Sequence, residues 1–312
     1  MSRCRPALTI AVALAAAAAV AGGCGLGAGA APHGVSLLVT RDFGAHTIGA
    51  TAPGRAHGSE TVMRFLERGH RVETRYGGGF VQSINGLAGG RERGAPVDWF
   101  FYVNGIEAPR GAAATVLHAG DRVWWDRHVW SAAMRVPAVV GSFPEPFRSG
   151  SDGKRLPVRI DCARGATAAC AQVARHLDGI GVTASSAAFG GSAGKDTVRL
   201  LVGPWAEIRG DAAATPLERG PGASGVFARP ARDGRSIALL NDRGAAVRAL
   251  APGGGLVAAT RYRDQQPTWI VTGADRAGVE AAARALTPSA LQRRFAIAVE
   301  GGRPGPLPLV AR

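Results

Sequence analysis

The sequence predicts two folded units behind a short N-terminal leader: an α+β module with one helix laid on a curled antiparallel sheet, then an α/β unit. Three observations carry this. At 312 residues with 46% hydrophobic content, the chain is long enough to build two cores. Residues 98–130 hold four of the six tryptophans (Trp99, Trp124, Trp125, Trp130), although aromatics are only 6% of the chain. In the C-terminal half, apolar runs of strand length alternate with helical patterns.

The leader comes first. Arg3 and Arg5 precede the apolar run Ala7 to Val20, and Ala21-Gly22-Gly23 forms a small-residue cleavage site, so residues 1–23 read as an export signal. Ala21-Gly22-Gly23-Cys24 resembles a bacterial lipobox, with Ala21 where that motif usually carries Leu. The resemblance implies a lipidated Cys24 as the new N-terminus, anchored to the outer face of the cytoplasmic membrane. Residues 24–33, rich in Gly and Ala, read as a tether. No internal run is long enough to span a bilayer. Cys162 and Cys170 are the remaining even pair in an oxidising compartment, and a disulfide from a strand end into the first turns of a helix fits their spacing.

The formal charge is +14, almost entirely arginine, since Lys154 and Lys195 are the only lysines. The arginines are scattered singly through both halves. Nucleic-acid binding would cluster them on one face, so no nucleic-acid partner is expected. The charge suits an anionic membrane or wall surface.

Within the first unit (34–136), Val35 to Thr40 reads as a strand and His46 to Gly58 as a loop without periodicity. Ser59 is a plausible N-cap for a short helix carrying Val62, Phe65 and Leu66 on one face. Arg71 to Tyr76 and Phe80 to Asn85 are further strands around a Gly77-Gly78-Gly79 turn. Trp99, Phe101 and Val103 alternate with Phe100 and Tyr102, the period of an extended strand. Asn104-Gly105 closes a hairpin, because both residues tolerate positive φ. Gly120-Asp121 is a second turn before Val123, Trp124 and Trp125. Adjacent on one strand, Trp124 and Trp125 must point to opposite faces.

GGGFVQSINGL followed by DWFFYVNGIEAPRGAAATVLHAGDRVWW resembles the transcobalamin C-terminal-like family, β-grasp-type domains of bacterial surface proteins. The likeness runs from Val35 to about Trp130 and includes the opening strand, the Thr61 to Leu66 helix, Ile84-Asn85-Gly86, the Trp99 to Gly105 hairpin and Gly120-Asp121. It implies a β-grasp-like fold and a binding role. In cobalamin carriers the related domain covers one face of a corrinoid.

Residues 137–154, rich in Pro, Gly and Ser, read as a linker. The second unit (155–312) opens with the strand Leu156 to Ile160 and the amphipathic helix Ala166 to Leu177, on which Cys170, Val173 and Leu177 share a face. Strands follow at Thr197 to Val202, Gly225 to Ala228, Ser236 to Leu240, Gly255 to Thr260, Trp269 to Thr272 and Phe295 to Val299. Asp211 to Leu217 is a short helix candidate. Arg276 to Leu286 has helical spacing of Val279, Ala282, Ala283 and Leu286, with Asp275 as its N-cap.

Few signals point to chemistry. Gly190 to Thr197, GGSAGKDT, imitates a phosphate loop, but Phe189 occupies the first glycine position and a strand rather than a helix follows. The seven histidines show no pair at metal-binding helical spacing, and His128 is the one that stands among tryptophans. No serine sits in a nucleophile elbow. The expectation is therefore a non-enzymatic, lipid-anchored protein without cofactor or metal, which binds a small solute or an envelope protein. Trp99, Tyr102, Asn104, Trp124, Trp125 and Trp130 are the candidate binding residues, suited to a flat or apolar solute such as a corrinoid. A structural envelope component is the alternative, and an envelope hydrolase using the second unit a weaker one.

Overall fold

The computed structural model describes residues 32–309. It is a mixed α+β structure, mostly strands in several sheets with few helices. The expected signal, lipid site Cys24 and most of the tether lie outside the described residues.

In chain order the first half contains β1 (Val35–Arg41), β2 (His46–Gly54), α1 (Val62–Glu67), β3 (Val72–Arg75), β4 (Phe80–Ile84) and β5 (Leu87–Ala88). It continues through β6 (Gly90–Glu92), β7 (Ala95–Val103), β8 (Ile106–Glu107) and β9 (Arg122–Val129). The main sheet runs β2-β1-β9-β7-β6, with β8 on β7; β3-β4-β5 form a separate small sheet. Most pairs are antiparallel, as expected, but β1 and β9 are parallel, with Leu38 opposite Trp124.

Two local expectations are corrected. The segment read as a loop from His46 is the edge strand β2, paired with β1. It lies largely exposed on both faces, so nothing imposes an alternation of apolar residues on it. The helix is capped by Thr61 rather than Ser59, and the Thr61 side chain accepts from Arg64 N.

Alternation splits the main sheet into two faces. Val35, Leu37, Val39, Trp99, Val123 and Trp125 pack under α1 with Val62, Phe65 and Leu66. Tyr102 and Trp124 point the other way, into a core shared with the second half.

The second half contains β10 (Val158–Cys162), α2 (Thr167–Gly179), β11 (Ser185–Ala188), β12 (Val198–Val202), α3 (Trp205–Ile208), α4 (Pro221–Ser224) and β13 (Ala228–Pro230). After these come β14 (Ile237–Leu240), β15 (Ala246–Ala249), β16 (Gly255–Thr260), β17 (Thr268–Gly273), α5 (Arg276–Arg284), α6 (Pro288–Leu291), β18 (Ala296–Glu300) and β19 (Arg303–Leu307). Its sheet runs β11-β10-β12-β17-β16-β18-β19, parallel through β17 and antiparallel beyond. β16 and β17 are buried along their whole length. Asp275 caps α5 through Gly278 N, as the sequence predicts, while the Asp211 helix candidate is a 3-10 turn at Thr215–Arg219. Cys162 and Cys170 form a disulfide from the end of β10 into α2.

The stretch expected to be a linker is packed. Ala138, Val139, Val140, Phe143 and Phe147 are buried between the halves. Val139 N donates to Gly105 O at 2.8 Å and Val140 N to Phe295 O at 3.2 Å, so the segment bonds both sides. Its composition misleads because apolar residues stand between the prolines; their burial outweighs the turn-forming bias of Pro and Gly.

Phe295, just ahead of β18, is the hinge of this packing. Its ring lies 5.2 Å from Trp124, 5.7 Å from Tyr102, 5.1 Å from Phe43 and 5.2 Å from His128, all edge-on. Backbones approach closely beside it. A Cβ on Gly141 would stand 2.5 Å from Trp124 Cζ3 and 2.7 Å from Arg294 N, and one on Gly44 would strike Arg293 O. Phe295→Ala is expected to cost about 3–5 kcal/mol by urea denaturation, through lost burial plus the cavity left behind. It is also expected to split one transition into two, because the halves then lose their common core. Replacing Cys162 and Cys170 by serine is expected to cost about 2–3 kcal/mol, given the short loop the bridge closes. Unchanged denaturation midpoints would count against both.

Candidate functional site

The expected aromatic binding surface is not a surface. Trp124 and Trp125 are each 2% exposed, and Trp99 and Tyr102 are buried as well. Trp99 Nε1 donates to Leu87 O at 2.9 Å and Trp124 Nε1 to Thr40 Oγ1 at 2.7 Å. Trp125 stacks on Phe101 at 4.8 Å. Asn104 is buried too: Nδ2 donates to Asp121 Oδ1 and Gly150 O, and Oδ1 accepts from Arg122 N. Trp130 alone of the six is partly exposed. The physical reason is simple. Large rings bury the most area per residue, and here both sheet faces have a partner layer to bury them against.

His128 and Asp126 form the polar centre of the shared core. Asp126 Oδ1 accepts from Phe43 N at 3.0 Å and contacts His128 Nδ1 at 2.9 Å; Oδ2 accepts from Gly44 N at 2.8 Å and from the Thr40 hydroxyl. The imidazole is sandwiched between Phe100 at 4.5 Å and Phe43 at 4.6 Å. This carboxylate has a structural task. It captures two backbone N–H groups and so holds Asp42 (φ 59°) and Phe43 (φ 57°) in the left-handed region that such residues rarely adopt.

The turn so fixed is one wall of a cleft of 560 Å³ at the junction of the halves. Arg41, Asp42, Phe43 and His46 supply that wall, Glu92 and Arg93 a second, and Asn241, Asp242 and Arg243 of the β14–β15 turn the third. Each wall is a tight turn, which explains its residues. Arg93 also has positive φ (48°). Asn241 Oδ1 accepts from Arg243 N and Ala245 N, both at 3.0 Å, a side-chain-closed turn.

The cleft carries charges of both signs, several already engaged. Arg127 Nη1 donates to Glu92 at 2.7 Å, and this bond holds the Glu92 carboxyl below the usual range. Asp42 pairs with Arg41, yet burial lifts its carboxyl above the usual range, aided by the nearby Asp126 and Glu92 and opposed by Arg41 and His46. Among the described residues Arg93, Arg243 and Asp242 have no ionic partner, which leaves them free to meet a ligand. No group of three or more His, Cys, Asp or Glu positioned for a metal occurs among the described residues. The Gly190 to Thr197 stretch is a loop that leads into β12. Asp161, fully buried, is occupied by Arg159 at 2.6 Å and Arg199 at 2.8 Å.

Residues 59–128, from just before α1 to near the end of β9, match a family described as a domain of unknown function, DUF4430. No curated protein matches the chain. A proposed metal-binding protein from Ruminococcus gnavus ATCC 29149 aligns with 31% of this chain and 97% of its own, at 13% identity and TM-score 0.24. Haptocorrin in complex with Cbi aligns with 32% of this chain at 14% identity and TM-score 0.26. The aligned part spans 25% of that haptocorrin chain.

Sequence reading missed the cleft. Arg41-Asp42-Phe43-Gly44 follows the first strand in the sequence, but nothing there marks it as a turn or ties it to Glu92-Arg93 or to Asn241-Asp242-Arg243. Because its carboxyl is raised, the folded state holds a proton on Asp42 that the unfolded chain releases. Its contribution to stability is complete below the ordinary aspartate range and is lost as pH rises through the folded value. Asp42→Asn is therefore expected to gain Tm relative to wild type from about pH 4 upward, with asparagine accepted at this positive φ. Parallel Tm curves for the two proteins would remove Asp42 from this account.

Proposed function

We propose that the protein is an extracytoplasmic binding protein, anchored through a lipidated Cys24, whose ligand enters the cleft between its two halves. The observation that carries this is the cleft's construction: three turns from distant parts of the chain converge on it and, among the described residues, leave Arg93, Asp242 and Arg243 without ionic partners. We read residues 34–136 as a β-grasp-like domain of the transcobalamin C-terminal-like type and residues 155–312 as an α/β domain. A mixed sheet with one helix packed on it supports the first reading, and a sheet that is parallel from β11 to β17 and carries α2 and α5 supports the second.

The charge of the cleft favours a small polar ligand with ionised groups of both signs over a flat apolar solute. Stacking of a flat solute on aromatic rings finds no platform here, because Trp99, Tyr102, Trp124 and Trp125 are in the core. The reading as non-enzymatic is supported by the state of the Asp126–His128 pair, closed in by Phe43, Phe100 and Phe295. A structural envelope role is the second reading, favoured by the aromatic packing that locks the halves together.

A thermal-shift panel of zwitterionic peptides, amino sugars and corrinoids tests the proposal. A saturable Tm rise is expected with a charged solute, weakened at least tenfold in apparent affinity by Arg93→Ala or Arg243→Ala, each removing a charge-assisted bond of about 1.5–3 kcal/mol. Both side chains are exposed, so folding is preserved. A corrinoid response indifferent to these substitutions would return the site to the aromatic strands. Silence from the whole panel would favour the structural role.

A further inference from the structure

A second cavity, of 650 Å³, lies where the described chain begins. Pro32 and His33 form part of its lining, with Ser59, His118, Arg148 and Arg155 around them. Its lining contains no carboxylate. The acids nearest it are occupied: Asp121 accepts from His118 N at 2.7 Å, Glu145 from Ser149 N at 2.7 Å, and Glu60 from Arg68 at 3.0 Å. Arg155 spends Nε on Arg148 O at 2.9 Å, which orients the guanidinium and leaves its terminal nitrogens without a partner among the described residues. Neither Arg148 nor Arg155 has an ionic partner among the described residues. The walls are tightly built. A Cβ on Gly153 would press on His118 Cδ2 at 2.5 Å, and one on Gly120 on Ser149 Oγ at 2.6 Å.

Position identifies the ligand. From Cys24 to Pro32 is eight residues (32 − 24), whose fully extended length is at most about 30 Å. An anchor at Cys24 therefore keeps this pocket close to the bilayer, where two unpaired arginines meet anionic headgroups. We propose that the pocket takes the phosphate of an anionic phospholipid headgroup in the membrane that holds the anchor, and so docks the folded part on the bilayer. The bond is charge-assisted: guanidinium N–H groups donate to phosphate oxygens, with the Ser59 hydroxyl as a further donor. The inference rests on the lipid-anchor reading.

The processed full-length protein, in nanodiscs of phosphatidylcholine alone or of phosphatidylcholine with phosphatidylglycerol, provides the test. Hydrogen exchange is followed in the peptides covering 57–60, 116–120 and 148–155. Slower exchange in all three with phosphatidylglycerol is expected, with the docking equilibrium weakened about fivefold by either Arg148→Gln or Arg155→Gln and further by both. Equal protection from inorganic phosphate added to phosphatidylcholine discs would make this a site for free phosphate and overturn the proposal. So would protection that survives the double substitution, or none at all. The mass of the N-terminal peptide separates the two failures: a Cys24 without acyl chains removes the anchor, whereas an acylated Cys24 with no lipid-dependent protection removes the docking alone.

Discussion

Phe295 inside its cage of Phe43, Tyr102, Trp124 and His128 is the contact on which the rest of the structure depends. One ring from the second half meets four rings of the first. The 138–147 segment is threaded beside it, and Phe143 and Phe147 close on Trp269 at 6.0 and 4.8 Å. The two sheets thereby share a core that neither could close alone. Edge-on ring contacts add a directional preference to the area they bury, so the angle between the halves is fixed as well as their distance.

That packing has a consequence for recognition. A sheet whose helix-facing side is already filled by α1 and whose other side is filled by Phe295 and its neighbours has no aromatic face to offer a solute. What remains for binding lies at the seam, where turns rather than strands project. Asp126 links the two levels: it is part of the buried network with Thr40, Trp124 and His128, and it also sets the backbone of the Asp42-Phe43 turn that walls the cleft. The conformation of an exposed site is thus held by a carboxylate in the core.

The two cavities differ in chemical character. The cleft at the seam mixes acids with arginines, so it can discriminate by charge pattern. The pocket beside Pro32 is lined by arginine and histidine without acids, so it selects for negative charge. Both are made from residues far apart in the chain, and the net charge of +14 by itself distinguishes neither.

The sequence alone determined what depends on neighbours in the chain. The alternation at Trp99 to Val103, the Asn104-Gly105 turn, the opposed faces of Trp124 and Trp125 and the Asp275 cap of α5 were all legible, because each is set by a period of two residues or by one residue's local preference; the Cys162–Cys170 bridge was legible as the even pair that the cysteine count leaves. Strand β2 was not, since an exposed edge strand needs no apolar alternation and is defined by its bond partners on β1. The packed 137–154 segment was not, since its composition is that of a turn-rich connector. The destination of the tryptophans was decided only by tertiary structure. Alternation tells which face a ring takes, but whether that face meets water, a ligand or Phe295 depends on residues far along the chain, 171 positions beyond Trp124 in the case of Phe295, and no local pattern encodes that meeting.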